Sequence, residues 1–200
     1  MARTDVEPPI DAQPLISLVG LPGSGKSTVG RQLARRLGLA FVDSDTCIEQ
    51  RIHEPIRAFF EREGEASFRD IEEQVIAELT HGRGSVLATG GGVVLRESNR
   101  SALHRQSTVI YLRSSPDEIH RRLRSDTRRP LLQVKDPLAR LYDLHQQRDT
   151  LYRQAAHFVV ETGRPSIQSL VNMVLMQLEL AGLVDPRQVP SPVGPMRRDE

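Results

Sequence analysis

LISLVGLPGSGKST, residues 15–28, reads as a strand that runs into a glycine-rich turn and then into a helix. Leu15–Val19 is a short apolar run ended by Gly20, the pattern of a buried strand. From Lys26 onward, Val29, Leu33 and Leu37 recur at helical spacing. The turn between them fits G-x-x-x-x-G-K-S/T, and the flanking strand and helix supply the context that this motif requires. Each position has a chemical reason. Gly23 and Gly25 let backbone N–H groups approach phosphate oxygens without a Cβ in the way. The helix that starts at Lys26 turns its positive end toward the same anion. Lys26 is suited to the β- and γ-phosphates, the Ser27 hydroxyl to Mg²⁺, and Thr28 to the α-phosphate. Gly23, Ser24, Gly25, Lys26, Ser27 and Thr28 therefore form the expected nucleotide-binding set. A chance lysine in a glycine turn is the bland alternative, and it does not account for strand, loop and helix falling in register.

Outward from this loop, the chain alternates. Phe41 and Val42 begin a second short strand. Ile71, Val75, Ile76 and Leu79 mark a helix, followed by the strand Ser85–Ala88. Residues 108–112 (TVIYL) are β-branched and aromatic, as a strand prefers. Ser114, Ser115 and Pro116 have the order of a helix cap and first turn. Residues 138–155 read as a long helix, 157–160 as a last strand and 165–180 as a closing helix. Five strands alternating with helices predict a parallel sheet covered on both faces, with ligands at the carboxyl ends of the strands.

The 200 residues suit one domain, and composition places it at residues 14–183. Residues 1–13 read as a loose leader, and 184–200, with four prolines, as a disordered tail. A net charge of +1 argues against a dedicated nucleic-acid binder, despite the Arg-rich run at 121–129 (RRLRSDTRR). Cys47 is the only cysteine, which excludes an intrachain disulfide and a multi-cysteine metal site. No secretory h-region and no run of 18 apolar residues is visible, so a cytoplasmic protein without a membrane partner is the expectation.

The loop alone does not name the acceptor. Asp43-Ser-Asp45 follows the second strand, where two carboxylates can divide the labour. One can hold Mg²⁺ and the other can orient or deprotonate a hydroxyl. Either aspartate can equally cap a helix, and Asp45 can do both jobs at once. Arg69, in FRDIE at the opening of a helix, is either a ligand or half of an i,i+3 surface pair with Glu72. Gly90, Gly91 and Gly92 follow a strand, where a ligand or another backbone can pass close and the Gly91 N–H can bind an oxygen. Arg129 precedes Pro130, which favours extended chain and suits a mobile lid closing on the phosphates. Arg148 and Tyr152 lie in RDTLYR on the long helix, where an exposed helical Arg is the plain alternative.

Taken in order, GLPGSGKST, DSD (43–45), FRDIE (68–72), GGG (90–92), RRPLL (128–132) and RDTLYR (148–153) resemble shikimate kinase, of the nucleoside-monophosphate-kinase-like branch of P-loop proteins. The resemblance implies a three-layer α/β/α fold with five parallel strands in 2-3-1-4-5 order and a mobile lid. It implies transfer of a phosphoryl group from ATP to the 3-hydroxyl of shikimate, by a monomer with Mg²⁺ as cofactor. Asp45, Arg69, Gly91 and Arg148 would bind shikimate, the arginines matching its carboxylate as planar forks. Ser27 would ligand Mg²⁺, with Asp43 in its outer shell. Lys26, Asp45 and Arg129 would be catalytic, and Arg129 would also contact the ATP phosphates. Arg164 would lie on the adenine side, together with Arg122 or Arg124. Ile56, Phe60 and Phe68 would stand around the substrate, or simply pack in the core. Two alternatives remain. One is a related small-molecule kinase such as a gluconate kinase, with less need of two substrate-facing arginines. The other is a non-catalytic ligand sensor.

Overall fold

The computed structural model describes residues 13–123, 136–163 and 165–185. Five strands, β1 (Leu15–Val19), β2 (Ala40–Asp43), β3 (Ser85–Ala88), β4 (Thr108–Arg113) and β5 (Phe158–Glu161), form one parallel sheet in the order β2-β3-β1-β4-β5. This is the expected order. The helices among the described residues are α1 (Lys26–Leu37), α2 (Ser44–Ile52), α3 (Ile56–Leu79), α4 (Glu97–Gln106), α5 (Pro116–Leu123), α6 (Pro137–Ala155) and α7 (Ile167–Leu180), with a 3₁₀ turn at Val93–Leu95.

Alternation along each strand builds two apolar layers. Leu15 and Val19 of β1 and Val109 and Tyr111 of β4 face one layer, closed by Ile76 of α3, Leu103 of α4, Ile119 of α5 and Leu144 of α6. Ile16, Leu18, Ile110 and Leu112 face the other, closed by Val29 and Leu33 of α1 and by Leu170 and Val174 of α7. Fully burying each such side chain contributes about 1.5–3 kcal/mol. A third, smaller cluster joins α2 to α3 through Ile48, Phe59, Phe68 and Val75, with Ile56 and Phe60 against it. Those three expected substrate neighbours, Ile56, Phe60 and Phe68, are thus members of a packed core.

Local signals set most element ends. Asp136 and Ser166 cap α6 and α7, accepting from the backbone N–H groups of Ala139 (3.0 Å) and Ser169 (3.1 Å). At α5, Ser115 and Glu118 bond each other's backbone reciprocally, a capping box behind Pro116. Several sequence expectations shift. β2 extends to Asp43, and β5 starts at Phe158 rather than His157. FRDIE does not open a helix. It lies within α3, which begins at Ile56 and is interrupted only at Gly64 (φ 80°, ψ 177°). The expected leader (1–13) and tail (184–200) fall almost wholly outside the described residues, as do Arg124, Arg129 and Arg164.

At the start of β5, His157 Nδ1 accepts the Val109 N–H at 3.0 Å and its ring stacks on His104, centroids 4.2 Å apart. Burial, then the neighbouring His104, lowers the His157 pKa. A histidine harder to protonate folded than unfolded contributes stability above its unfolded pKa, near 6.5, and loses it as pH falls below that value. Asn at this position keeps an acceptor but cannot take a proton. In urea unfolding, His157→Asn should gain on wild type steadily as pH drops from 7.5 to 5.5; parallel pH profiles would refute this.

Candidate active site

The site is built where β1, β2 and β3 stop. Gly23 (φ 85°) and Gly25 (φ 95°) hold left-handed conformations that shape the loop after β1, and Gly25 is the N-cap of α1. Lys26 is 8% exposed, and its ammonium donates to the carbonyls of Gly20 (2.8 Å) and Leu21 (2.9 Å). Ser24 is fully buried, whereas Thr28 faces solvent. The Ser27 hydroxyl donates to Asp43 Oδ2 at 2.9 Å. Hydroxyl and carboxylate oxygens in contact are the hard donors that Mg²⁺ accepts alongside water and phosphate, so this pair fits the expected metal. No cluster of three or more His, Cys, Asp or Glu side chains suited to a metal occurs among the described residues.

Helix capping falls to Asp43, not Asp45: Asp43 Oδ1 accepts the Asp45 N–H at 3.2 Å. Asp45 is therefore released from the cap and stands in the first turn of α2. The residue is exposed to solvent, while its carboxylate lies against the glycine turn after β3 and is partly desolvated there. This desolvation, then the neighbouring Asp43 charge, pushes its carboxyl up to about 6, against the pull of Lys26.

The glycine turn after β3 joins the parts. A Cβ on Gly90 would lie 2.6 Å from Asp45 Oδ1, one on Gly91 would lie 2.6 Å from Pro22 Cδ in the phosphate loop, and one on Gly92 would lie 2.3 Å from an Arg69 Nη. Three consecutive residues thus touch a carboxylate, the phosphate loop and a guanidinium. What the structure engages at Gly91 is its carbonyl rather than the N–H expected from sequence. Arg148 Nη1 donates to that carbonyl at 3.0 Å and the Tyr152 hydroxyl at 2.6 Å. Arg148 is half-buried rather than an exposed helical Arg, and its Nε is buried with no hydrogen-bond partner.

Arg69 does pair with Glu72, Nη1 to Oε2 at 2.6 Å, but the pair is not on the surface: the two side chains are 13% and 2% exposed. Arg69 also reaches Glu65 at 3.0 Å. Burial pushes the Glu72 carboxyl above its ordinary range, opposed chiefly by Arg69 and then by Arg148. Sequence reasoning gave Glu72 no more than a surface role. The missed signal was its place in a stripe with Phe68, Val75, Ile76 and Leu79, where a carboxylate needs a partner. Arg122, one of two candidates for the adenine side, donates to the backbone carbonyl of Thr162 just after β5.

The shikimate kinase family model matches residues 22–179. A shikimate kinase of Paracidovorax citrulli is 60% identical over 174 residues, covering 86% of this chain and 95% of that protein. One of Ralstonia nicotianae is 55% identical over 92% of this chain and 96% of its own length. Among solved structures, a shikimate kinase from Acinetobacter baumannii in complex with shikimate superposes with a TM-score of 0.80. It is 42% identical, and the match covers 88% of this chain and all of that one.

Glu72 depends on Arg69 for its charge balance. Arg69→Met should cost about 3–5 kcal/mol of stability by stranding a buried carboxylate. Adding Glu72→Gln should recover most of that loss in urea unfolding. An Arg69→Met protein as stable as wild type would show that the pair contributes nothing.

Proposed function

The chain belongs to the shikimate kinase family, and from that membership we infer that it transfers the γ-phosphoryl group of ATP to the 3-hydroxyl of shikimate, giving shikimate 3-phosphate and ADP. The observation that best supports the choice of acceptor is the glycine turn. It sets two arginines, Arg69 and Arg148, and one carboxylate, Asp45, against the lip of the phosphate loop. A substrate with a carboxylate at one end and a reactive hydroxyl at the other suits that array. Planar guanidinium forks hold the acid group and leave the hydroxyl beside Asp45.

In this reading, the N–H groups of Gly23, Ser24 and Gly25 cradle the phosphates, and Thr28 adds a hydroxyl at the α-phosphate. Lys26 leaves the loop carbonyls for the β- and γ-oxygens. Ser27 would ligand Mg²⁺ directly, with Asp43 in its outer shell, and the ion would supply positive charge to offset that of the phosphates. Arg69, Gly91 and Arg148 bind shikimate. Asp45 accepts the proton of the 3-hydroxyl as its oxygen bonds to phosphorus. The bond from phosphorus to the bridging oxygen breaks, and ADP leaves with the electron pair. A carboxylate with a raised pKa is a better acceptor for that proton than an ordinary aspartate. Arg129 covers the transferred group and Arg164 the adenine. Both lie outside the described residues, and the resemblance alone supports their roles.

The reading takes the protein as a cytoplasmic monomer acting on two small anions. No helix among the described residues is long and apolar enough to cross a membrane.

ADP release coupled to shikimate, with gluconate and nucleoside monophosphates as controls, tests the assignment. Shikimate should be the strongly preferred acceptor, and gluconate turnover at a similar rate would overturn it. Binding of shikimate without ADP release would favour a ligand sensor. Asp45→Asn should lower kcat by about 10²-fold or more while ATP affinity stays within about twofold. Retained turnover would remove Asp45 from the proton transfer. Arg148→Ala should raise KM for shikimate about tenfold or more and leave KM for ATP unchanged; an unaltered shikimate KM would remove Arg148 from the acid subsite.

A further inference from the structure

Tyr152 is fully buried on α6, four residues beyond Arg148, so both side chains leave the same face of the helix. Both donate to one atom. The Gly91 carbonyl oxygen receives the Tyr152 hydroxyl at 2.6 Å and Arg148 Nη1 at 3.0 Å. A carbonyl oxygen has two lone pairs, and these two bonds use both. The tyrosine ring cannot drift, because it stacks on Tyr111 of β4 with centroids 4.9 Å apart. Tyr111 is fixed in turn by donating its own hydroxyl to Asp149 at 2.8 Å. Asp149 also takes Arg113 Nε at 3.1 Å and Arg153 Nε at 2.8 Å. Burial keeps the Tyr152 hydroxyl protonated, and hence a donor, throughout the working pH range.

We propose that the Tyr152 hydroxyl is a positioning group for the acid subsite, locking the Gly91–Gly92 peptide in one orientation and setting Arg148 beside it. The peptide is planar and trans, so a carbonyl drawn toward α6 turns the Gly92 N–H the opposite way. Gly92 is also the residue against which the Arg69 guanidinium lies. One hydroxyl thus fixes the peptide that separates the two arginines. Without it, Arg148 alone holds the carbonyl, and the peptide can rotate about bonds that only glycine leaves so free. Tyr152 touches no reacting atom; it acts through Gly91 and Arg148. The inference rests on the reading of Arg148 as part of a shikimate carboxylate site.

Tyr152→Phe removes one oxygen and keeps the stacked ring. In the ADP-release assay, KM for shikimate should rise about five- to tenfold, while kcat and KM for ATP change by less than about twofold. Shikimate binding measured by calorimetry should weaken by the same factor. In an Arg148→Ala background the same substitution should cost less than about twofold, because the two donors act on one carbonyl. Effects that simply multiply across the double variant would overturn the proposal, as would an unchanged shikimate KM in Tyr152→Phe. A variant that loses its fold, or loses ATP affinity as much as shikimate affinity, would make the hydroxyl structural and equally overturn it. The wild-type control separates the two claims. No shikimate-dependent ADP release from wild type defeats the functional reading and this inference with it. Activity in wild type with no KM change in Tyr152→Phe defeats the inference alone.

Discussion

All five residues of β1 are buried, with β3 bonded along one edge and β4 along the other. A strand so enclosed has no freedom to shift its register, because a slip of one residue would exchange Ile16 and Leu18 with Leu15 and Val19 across the sheet. Its carboxyl end is therefore the fixed point of the molecule. The loop that leaves it inherits that rigidity, and α1, packed back on the sheet through Val29 and Leu33, holds the far side. A ring of amide donors is useful to a polyanion only if it is preformed, and β1 preforms it. β2 and β3 lie on one side of this strand and deliver Asp43 and the glycine turn to the same rim.

That rim concentrates charges that would be costly elsewhere. Lys26, Arg69, Glu72 and Arg148 stand within one small region, each buried or half-buried, beside the more exposed Asp45. The arrangement is tolerable because each of those four charges is answered. Loop carbonyls take the lysine, Glu72 takes Arg69, and the Gly91 carbonyl takes Arg148. Backbone carbonyls serve here as neutral partners that a stronger, anionic ligand can displace. Glycines at three successive positions allow the approach, since a methyl group there would collide with Asp45, the Pro22 ring or Arg69 in turn.

Much of this was legible in the sequence. The phosphate loop declared itself because its motif, strand and helix had to agree. The strand order followed only from resemblance, since alternating strands and helices give a parallel sheet but not its sequence of neighbours. Less legible was anything decided by side-chain direction. DSD offered two aspartates for two roles, and only the backbone geometry of α2 gives the cap to Asp43 and frees Asp45. The Gly91 carbonyl bond to Tyr152 joins residues 61 apart, a distance over which periodicity is silent. α4 went unread, and α2 was read only as a helix for one of the two aspartates to cap, because each is short and buries only two residues, too few to establish a period. FRDIE was read as a helix start because the apolar stripe strengthens there, whereas the helical backbone already runs from Ile56.

Gly64 interrupts α3 at φ 80° and ψ 177°, with open space where a Cβ would sit. No neighbouring group would oppose a side chain, yet the local clash of a Cβ with its own backbone essentially closes this region to L-residues. The restriction is one of handedness rather than of room. Reflected, the same torsions become φ −80° and ψ −177°, an ordinary extended conformation. The backbone torsions alone would suit a D-alanine, which would adopt natively the bend that glycine merely permits. The two segments of α3 are thus joined by an achiral residue at torsions that a D-residue would favour and that every chiral natural residue resists.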